Sequence, residues 1–459
     1  MGEHRIRVAI CGCGVAGLTL AITLHRYNAP GTNLQVDIYE SDPEVRTAGA
    51  GITVWPRTWD VLKNLNMYDQ LKEVAVQSRD TRPDTAFKPA FVARKANQPS
   101  DGFHFAHVLA PSGSTTMHRK DMLDVFLRNL PPSHTINLSK RLVGYEQRSD
   151  GSPGITLSFA DGTTAEADVL LGADGVHSAT RTCMYAILHG RDCAGSAASV
   201  ADCPRCKASV PAWTGVCAYR NLIPTEKLYA MNPKHTTASV GAILCHIISY
   251  QVSGGKFLNF VAVFRVPGGE GTPFDGKWVA EVPKEDVLSA FDGWEPEVRQ
   301  MLKCVENPTR WAVHVVDGLP SAVDGSVALV GDAMHAMPPN FGAGGGQAVE
   351  DAYILGRLLA DPRVRRQHVP DLLRLYESVR LVFVNDISRR ARAVGLMYEF
   401  NAPGFYDGTE GMEEEVEKTE LEILGEEIHR MWQWQWREGL DSQWESAEAG
   451  LEIIVKSEE

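Results

Sequence analysis

Hydrophobic and polar positions change period several times along this chain, and each change marks an element. Residues 7–11 (Arg-Val-Ala-Ile-Cys) form a short apolar run of strand length, and residues 18–25 carry apolar side chains at helical spacing. Residues 34–39 alternate as a strand does. A predicted amphipathic helix covers 120–130, and 144–165 reads as a meander of short strands around the Ser149-Asp-Gly151 and Asp161-Gly162 turns. Residues 168–172 are a buried strand. From 181 to 311 long strands dominate, notably 242–250 and 257–266, joined by turns at Ser253-Gly-Gly255 and Pro267-Gly-Gly269. Alternation on a 242–250 strand places His246 and Tyr250 on one face. After the strand at 327–330 the period turns helical over 347–359 and 371–397. An acidic linker, 410–417, then leads to a last helix carrying Trp432, Trp434 and Trp436. Side chains at that spacing cannot share one helix face, so docking into the core or onto a dimer partner is expected.

Glycine-rich turns sit where strands meet helices. Gly12-Cys-Gly14-Val-Ala-Gly17 follows the first strand and opens the first helix, and Glu40 ends the second strand. That is the βαβ dinucleotide fingerprint, in which a helix N-terminus holds a pyrophosphate and the acid accepts from a ribose hydroxyl. Far downstream, Gly331-Asp332 follows the 327–330 strand, and Gly342-Ala-Gly344-Gly345-Gly346 opens the next helix. Asp332 is placed to accept from a ribityl or ribose hydroxyl. The glycines let backbone approach a flat ligand, and the N–H groups near Gly344 favour an anion such as a reduced flavin.

Between these lies Asp174-Gly175, with Arg181 after it. With GxGxxG, a D-G turn and a G-D motif in this order, the chain resembles the FAD-dependent aromatic hydroxylases, the single-component flavoprotein monooxygenases of the salicylate hydroxylase type. Further blocks look like the family's: His118-Arg119-Lys-Asp121, Ala218-Tyr219-Arg220, Trp311-Ala-Val-His314, Glu350-Asp351-Ala352 and the tryptophan-rich tail. The resemblance implies an α/β protein with a discontinuous Rossmann-type FAD-binding domain (1–180 and 312–395), an inserted, mainly β substrate domain (181–311) and a helical C-terminal tail (396–459). It implies that NADH or NADPH reduces FAD, that O2 then forms a flavin hydroperoxide, and that a phenolic or hydroxybenzoate-type ring is hydroxylated, with or without decarboxylation.

The site residues implied are these. Gly12, Gly14, Ala16, Gly17 and Glu40 would hold the ADP half of FAD. Gly51, Ile52, Arg119, Asp174, Asp332, Gly344, Gly345 and Gly346 would contact the rest, and Pro339 would support the reacting oxygen. Tyr219, Arg220, His246, Tyr250 and Asn340 would face the substrate; Arg220, His246 and Tyr250 would activate its hydroxyl. Salicylate hydroxylases look like Pro-His-Gln-Gly where this chain reads Pro339-Asn340-Phe341-Gly342, and Pro-Val-Arg where it reads Gln251-Val252-Ser253. Both departures remove cations, which points to a less charged or differently substituted phenol. An epoxidase or flavin reductase on the same fold, or a redox-dead flavin-binding scaffold, remain the alternatives.

Composition narrows this further. With 459 residues, 44% of them hydrophobic, the chain can bury a large core in two or three domains. A formal charge of −13 argues against nucleic acid as a partner. No apolar run approaches the roughly 20 residues of a spanning helix. The first strand begins close to Met1, leaving no room for a signal peptide, so a cytoplasmic monomer or homodimer is expected. Cys203-Pro-Arg-Cys206, with Cys193 upstream, has metal-ligand spacing. No second such pair and no paired histidine completes a set of four, so reduced thiols in a surface insertion (188–211), with no metal, are expected.

Overall fold

The computed structural model describes residues 5–456 except 29–33, 46–50, 79, 81, 84–85, 149–153, 194–197, 239–240, 245–246 and 410. His246, Glu410 and the 149–151 turn therefore lie outside the described residues.

The first strand, Ile6–Cys11, lies inside a six-stranded sheet between Val169–Gly172 and Leu34–Tyr39. Its pairs are parallel except at one edge, where Val323–Asp324 runs antiparallel to Val327–Leu329. Parallel strands need covering on their faces. Helix Val15–Tyr27 does this, with every residue from Val15 to Leu24 buried. Helix Gly344–Leu359 lies against it so closely that a Cβ on Gly356 would meet Thr23 Cγ2 at 2.7 Å. The order of the fingerprint, the D-G turn and the G-D turn in sequence thus becomes three adjacent parallel strands whose C-terminal ends open onto one place.

The second layer is an eight-stranded sheet whose central strands are Ala212–Pro224, Phe257–Arg265 and Ile247–Val252. Two features depart from expectation. Strands Phe87–Lys95 and Phe103–Pro111 belong to this sheet, although they lie within the 1–180 stretch expected to be cofactor-binding. The strand expected over 242–250 is two: Gly241–Leu244 pairs antiparallel with Ile247–Val252, Leu244 opposite Ile247. Of the two residues expected on one face there, Tyr250 lies on Ile247–Val252, and His246 is outside the described residues.

The acidic stretch starts a helix rather than acting only as linker. Glu414, Glu415 and Glu417 lie in the first turn of Glu414–Trp432, where carboxylates suit the helix dipole. Trp432 and Trp434 dock into an aromatic core with Trp55, Phe91 and Phe341. In the 188–211 segment most of the described residues are exposed or half-buried and the cysteines are free thiols, as expected for a surface insertion, but Cys193, Cys203 and Cys206 turn inward and are buried.

Candidate active site

Where the two sheets meet there is a cavity of about 420 Å³, lined by residues from both. On the cofactor side the fingerprint glycines divide their labour. A Cβ on Gly12 (φ +103°) would meet the Ala173 carbonyl oxygen at 2.3 Å, and one on Gly17 the Gly12 carbonyl oxygen at 2.0 Å. These two glycines let strand, turn and helix close together, while Gly14 and Ala16 border the cavity. As the N-cap, Gly14 has no side chain to occupy the first helical N–H groups, which are left for an anion. Glu40 fastens this turn: its Oε2 accepts from Cys13 N–H at 2.9 Å and its Oε1 from Asp42 N–H at 3.0 Å.

Across the cavity, Gly331 takes φ +62° and turns the chain so that Asp332 faces inward. Its carboxylate lies deep in the molecule yet open to the cavity. Loss of bulk water raises its pKa above the usual aspartate value, against the pull of His335, Arg119 and Arg181. Arg119 starts the helix Arg119–Asn129 and lines the same wall; burial lowers its pKa, opposed by Asp332. Helix Gly344–Leu359 points its N-terminus into the cavity, and its N-cap, Ala343, has no capping oxygen.

Buried charges hold that helix in place. Arg57 donates to both oxygens of Glu350, each at 2.9 Å. Arg380 donates to Asp351 at 2.7 Å and to Gln347 at 2.7 Å, and His335 meets Asp351 at 2.5 Å. The side chains of Glu350, Asp351, Arg380 and His335 are fully buried. Asp351 also accepts from the Gly331 N–H at 3.1 Å, joining the helix to the Asp332 turn. Burial works against its ionisation, but His335 and Arg380 hold its pKa below the ordinary value.

The other wall comes from the large sheet. Asn259, Val261 and Val263 alternate into the cavity, and their partners Tyr250, Ile248 and Arg220 share that face. Burial lowers the Arg220 pKa, and its Nε has no hydrogen-bond partner among the described residues; the guanidinium lies 4.6 Å from the Trp311 ring centre. Tyr250 is pushed up to about 12 by burial, against Arg220 and a hydrogen bond with Thr53. Its hydroxyl therefore keeps its proton at neutral pH. Ile52, Trp55, Phe91, Tyr398 and Trp432 complete an aromatic and apolar surround.

The fold and this geometry match known proteins. The FAD binding domain family model covers residues 5–242 and 316–391. The chain belongs to the FAD-dependent aromatic hydroxylases. A salicylate hydroxylase of Pseudomonas putida is 31% identical over 463 residues, covering 98% of this chain and 95% of the relative. A 6-methylsalicylate 1-monooxygenase of Aspergillus terreus is 31% identical over 412 residues, covering 87% and 84%. The solved structure of a salicylate hydroxylase substrate complex superposes with a TM-score of 0.77 at 29% identity, covering 96% of this chain and 98% of that one.

The residues present in the hydroxylase fit FAD. Two helix N-termini without side-chain caps and the inward carboxylate of Asp332 converge on one cavity, and Gly344 and Gly345 border it with no side chain of their own between the helix N-terminus and the cavity. Of the residues named from sequence, Gly14, Ala16, Gly51, Ile52, Arg119, Arg220, Tyr250, Asp332, Pro339, Asn340, Gly344 and Gly345 line the cavity. Others do not. Tyr219 points to the opposite face of the sheet, stacked on Phe264 at 4.7 Å, because neighbouring strand residues alternate. Gly346 packs on Thr58, whose Oγ1 a Cβ would meet at 2.6 Å. Both carboxylate oxygens of Asp174 are engaged by Ser178 and Thr180, so it orders the D-G turn, and its neighbour Gly175 borders the cavity instead. Asn340 does border the cavity, but its amide Nδ2 is engaged, donating to the Ala391 carbonyl at 2.9 Å.

Sequence reasoning missed Asn259. Its Oδ1 accepts from Gly51 N–H at 3.2 Å, and its Nδ2 is buried without a partner among the described residues. A lone amide in the apolar run Phe257–Arg265 was the available signal.

Proposed function

We propose that the chain uses NADH or NADPH and O2 to hydroxylate a phenol or hydroxybenzoate bound between the Asp332 turn and the large sheet. The observation that carries this reading is that Arg220 and Tyr250 face the same cavity as the Asp332 carboxylate and the open N-terminus of Gly344–Leu359. Bound FAD supplies the two-electron activation of dioxygen, which no side chain can perform.

The protein binds, orients and shields. Gly14 and Arg119 would hold the pyrophosphate region, Asp332 would accept from a ribityl hydroxyl, and the N–H groups of Gly344 and Gly345 would stabilise negative charge at the ring's pyrimidine edge. Arg220 and Tyr250 would raise the nucleophilicity of the substrate ring. The first stabilises developing phenolate charge and the second donates a hydrogen bond, since its own proton stays on at neutral pH. Phe91, Tyr398 and Trp432 would keep water from the reacting atoms.

Although the chain lacks the two cations that salicylate hydroxylases tend to carry at 340 and 253, Arg220 is a cation inside the cavity. A ring carboxylate would find its counter-charge there, which supports a hydroxybenzoate over a simple phenol. If that carboxylate stands where the new hydroxyl enters, it leaves as CO2. We also infer that residues 1–180 and 312–395, apart from strands Phe87–Lys95 and Phe103–Pro111, form the cofactor-binding unit. A panel of hydroxybenzoates, their esters and simple phenols, scored for NAD(P)H oxidation, hydroxylated product and CO2, tests the reading. Product from hydroxybenzoates supports it, and oxidation that ignores every aromatic overturns it.

A further inference from the structure

We propose a second, metal-binding site in this chain: a structural zinc held by His189, Cys193, Cys203 and Cys206. A ring nitrogen of His189 and the three sulfurs all lie within 4.8 Å of one another. The Cys193 and Cys206 sulfurs are 3.8 Å apart. That is far beyond the ~2.05 Å of a disulfide, and it equals the edge of about 3.8 Å of a tetrahedron whose zinc–sulfur bonds are ~2.3 Å.

Local structure explains how the four meet. His189 lies in the last turn of helix Ala179–Asp192 and Cys193 is its C-cap, so the two are four residues apart on one side of the helix end. Cys203 and Cys206 are joined by a tight turn, with Cys206 N–H donating to the Cys203 carbonyl at 3.1 Å and Lys207 N–H to the same oxygen at 2.9 Å. His189 supplies the fourth ligand: a single histidine before the cysteines has no motif spacing to mark it, and only the fold brings it to them.

A second observation points the same way. The His189 Nδ1 is buried and has no hydrogen-bond partner among the described residues. Such an atom costs free energy unless something occupies it. All three cysteines are buried, and none of the four residues lines the FAD cavity. Four protein donors leave no open position, so this is a site for structure and not for catalysis. On binding, three thiols release their protons and the histidine coordinates as the neutral ring.

The site also bears on the FAD cavity from a distance. Arg181 is fully buried and donates to the Ser209 carbonyl at 2.8 Å, just beyond Cys206. The same guanidinium donates to the Val176 carbonyl at 2.5 Å and to the Ala333 carbonyl at 2.9 Å, beside Gly175 and Asp332. A zinc-anchored loop would therefore brace the turn that carries Asp332.

The test uses the holoprotein, expressed with zinc in the medium, freed of loose metal and kept reduced. Elemental analysis should give about one zinc per chain, and X-ray absorption at the zinc edge should report three sulfurs near ~2.3 Å and one nitrogen near ~2.0 Å. Cys203→Ser/Cys206→Ser should lose the metal. His189→Ala leaves three thiolates and should surrender zinc to a chromophoric chelator faster, on the order of tenfold or more. Wild-type protein that carries no zinc, even after incubation with zinc ions, overturns the proposal. So does zinc that stays at full occupancy and unchanged release rate in both variants, or absorption data showing oxygen and nitrogen ligands only.

Discussion

Asp332 is under two opposed demands. Its inward carboxylate suits a ribityl hydroxyl, but burial raises its pKa, so in the FAD-free protein the charged form is penalised. A raised carboxyl pKa means that the folded state binds its proton more readily than the unfolded one; this penalty is absent below the unfolded value and grows to its full size above the folded one. Asp332→Asn should therefore raise the melting temperature of apoprotein at neutral pH and leave it unchanged in acid. The same variant should bind FAD roughly tenfold to a hundredfold more weakly, the ~1.5–3 kcal/mol of a hydrogen bond to a charged acceptor. Calorimetry of apoprotein and flavin titration check the two halves; unaltered FAD affinity contradicts the assignment. On the facing sheet, Arg220→Ala and Tyr250→Phe should leave NAD(P)H consumption running while product falls and hydrogen peroxide rises, roughly 10²–10⁴-fold in product rate for at least one of them. Because the Tyr250 hydroxyl keeps its proton up to about 12, Tyr250→Phe should lower the neutral-range pH profile without moving it. Tyr219→Phe serves as the control, since that ring packs on Phe264 behind the sheet. Tyr219 and Arg220 stand side by side in one block, and only the strand's orientation decides which of them faces the cavity.

At the scale of elements, the glycine-rich helix and the tryptophan tail carry the sharpest consequences. Removing Glu350 would leave Arg57 and Arg380 buried without their shared partner, and breaking a buried pair costs about 3–5 kcal/mol. Glu350→Ala should lower stability by that order in urea unfolding and weaken FAD binding with it, because the helix N-terminus faces the cavity. Trp432 donates to the Tyr398 hydroxyl at 2.6 Å and lines the cavity beside Phe91. Trp432→Ala should cost about 3–5 kcal/mol and admit water, raising peroxide at the expense of product. Element positions were legible wherever local periodicity determines them: the strand Leu34–Tyr39 has the expected bounds, and helix Val369–Tyr398 differs from the expected 371–397 only at its ends. Periodicity says nothing about partners. It merged Gly241–Leu244 and Ile247–Val252 into one strand, and it could not enrol Phe87–Lys95 and Phe103–Pro111 in a sheet whose remaining strands lie about a hundred residues or more later.

For the molecule as a whole, motif order was more telling than any single motif. Three glycine turns separated by long stretches of sequence become the ends of adjacent parallel strands, and this juxtaposition explains why the FAD-binding fold could be read from them. What stayed hidden was Asn259, which the large sheet supplies to the cavity beside Arg220 and Tyr250, and, away from the cavity, the meeting of His189 with the three cysteines. Such convergence depends on tertiary distances that spacing does not encode. The most direct test of the whole account is turnover by the flavin-loaded protein with NADH or NADPH under isotopically labelled dioxygen, across hydroxybenzoates, their esters and simple phenols, with product analysed by mass. The expected result is that at least one hydroxybenzoate accelerates NAD(P)H oxidation and leaves as a product bearing a single labelled oxygen. Oxidation that no aromatic accelerates, or that yields hydrogen peroxide alone with every compound, would contradict it.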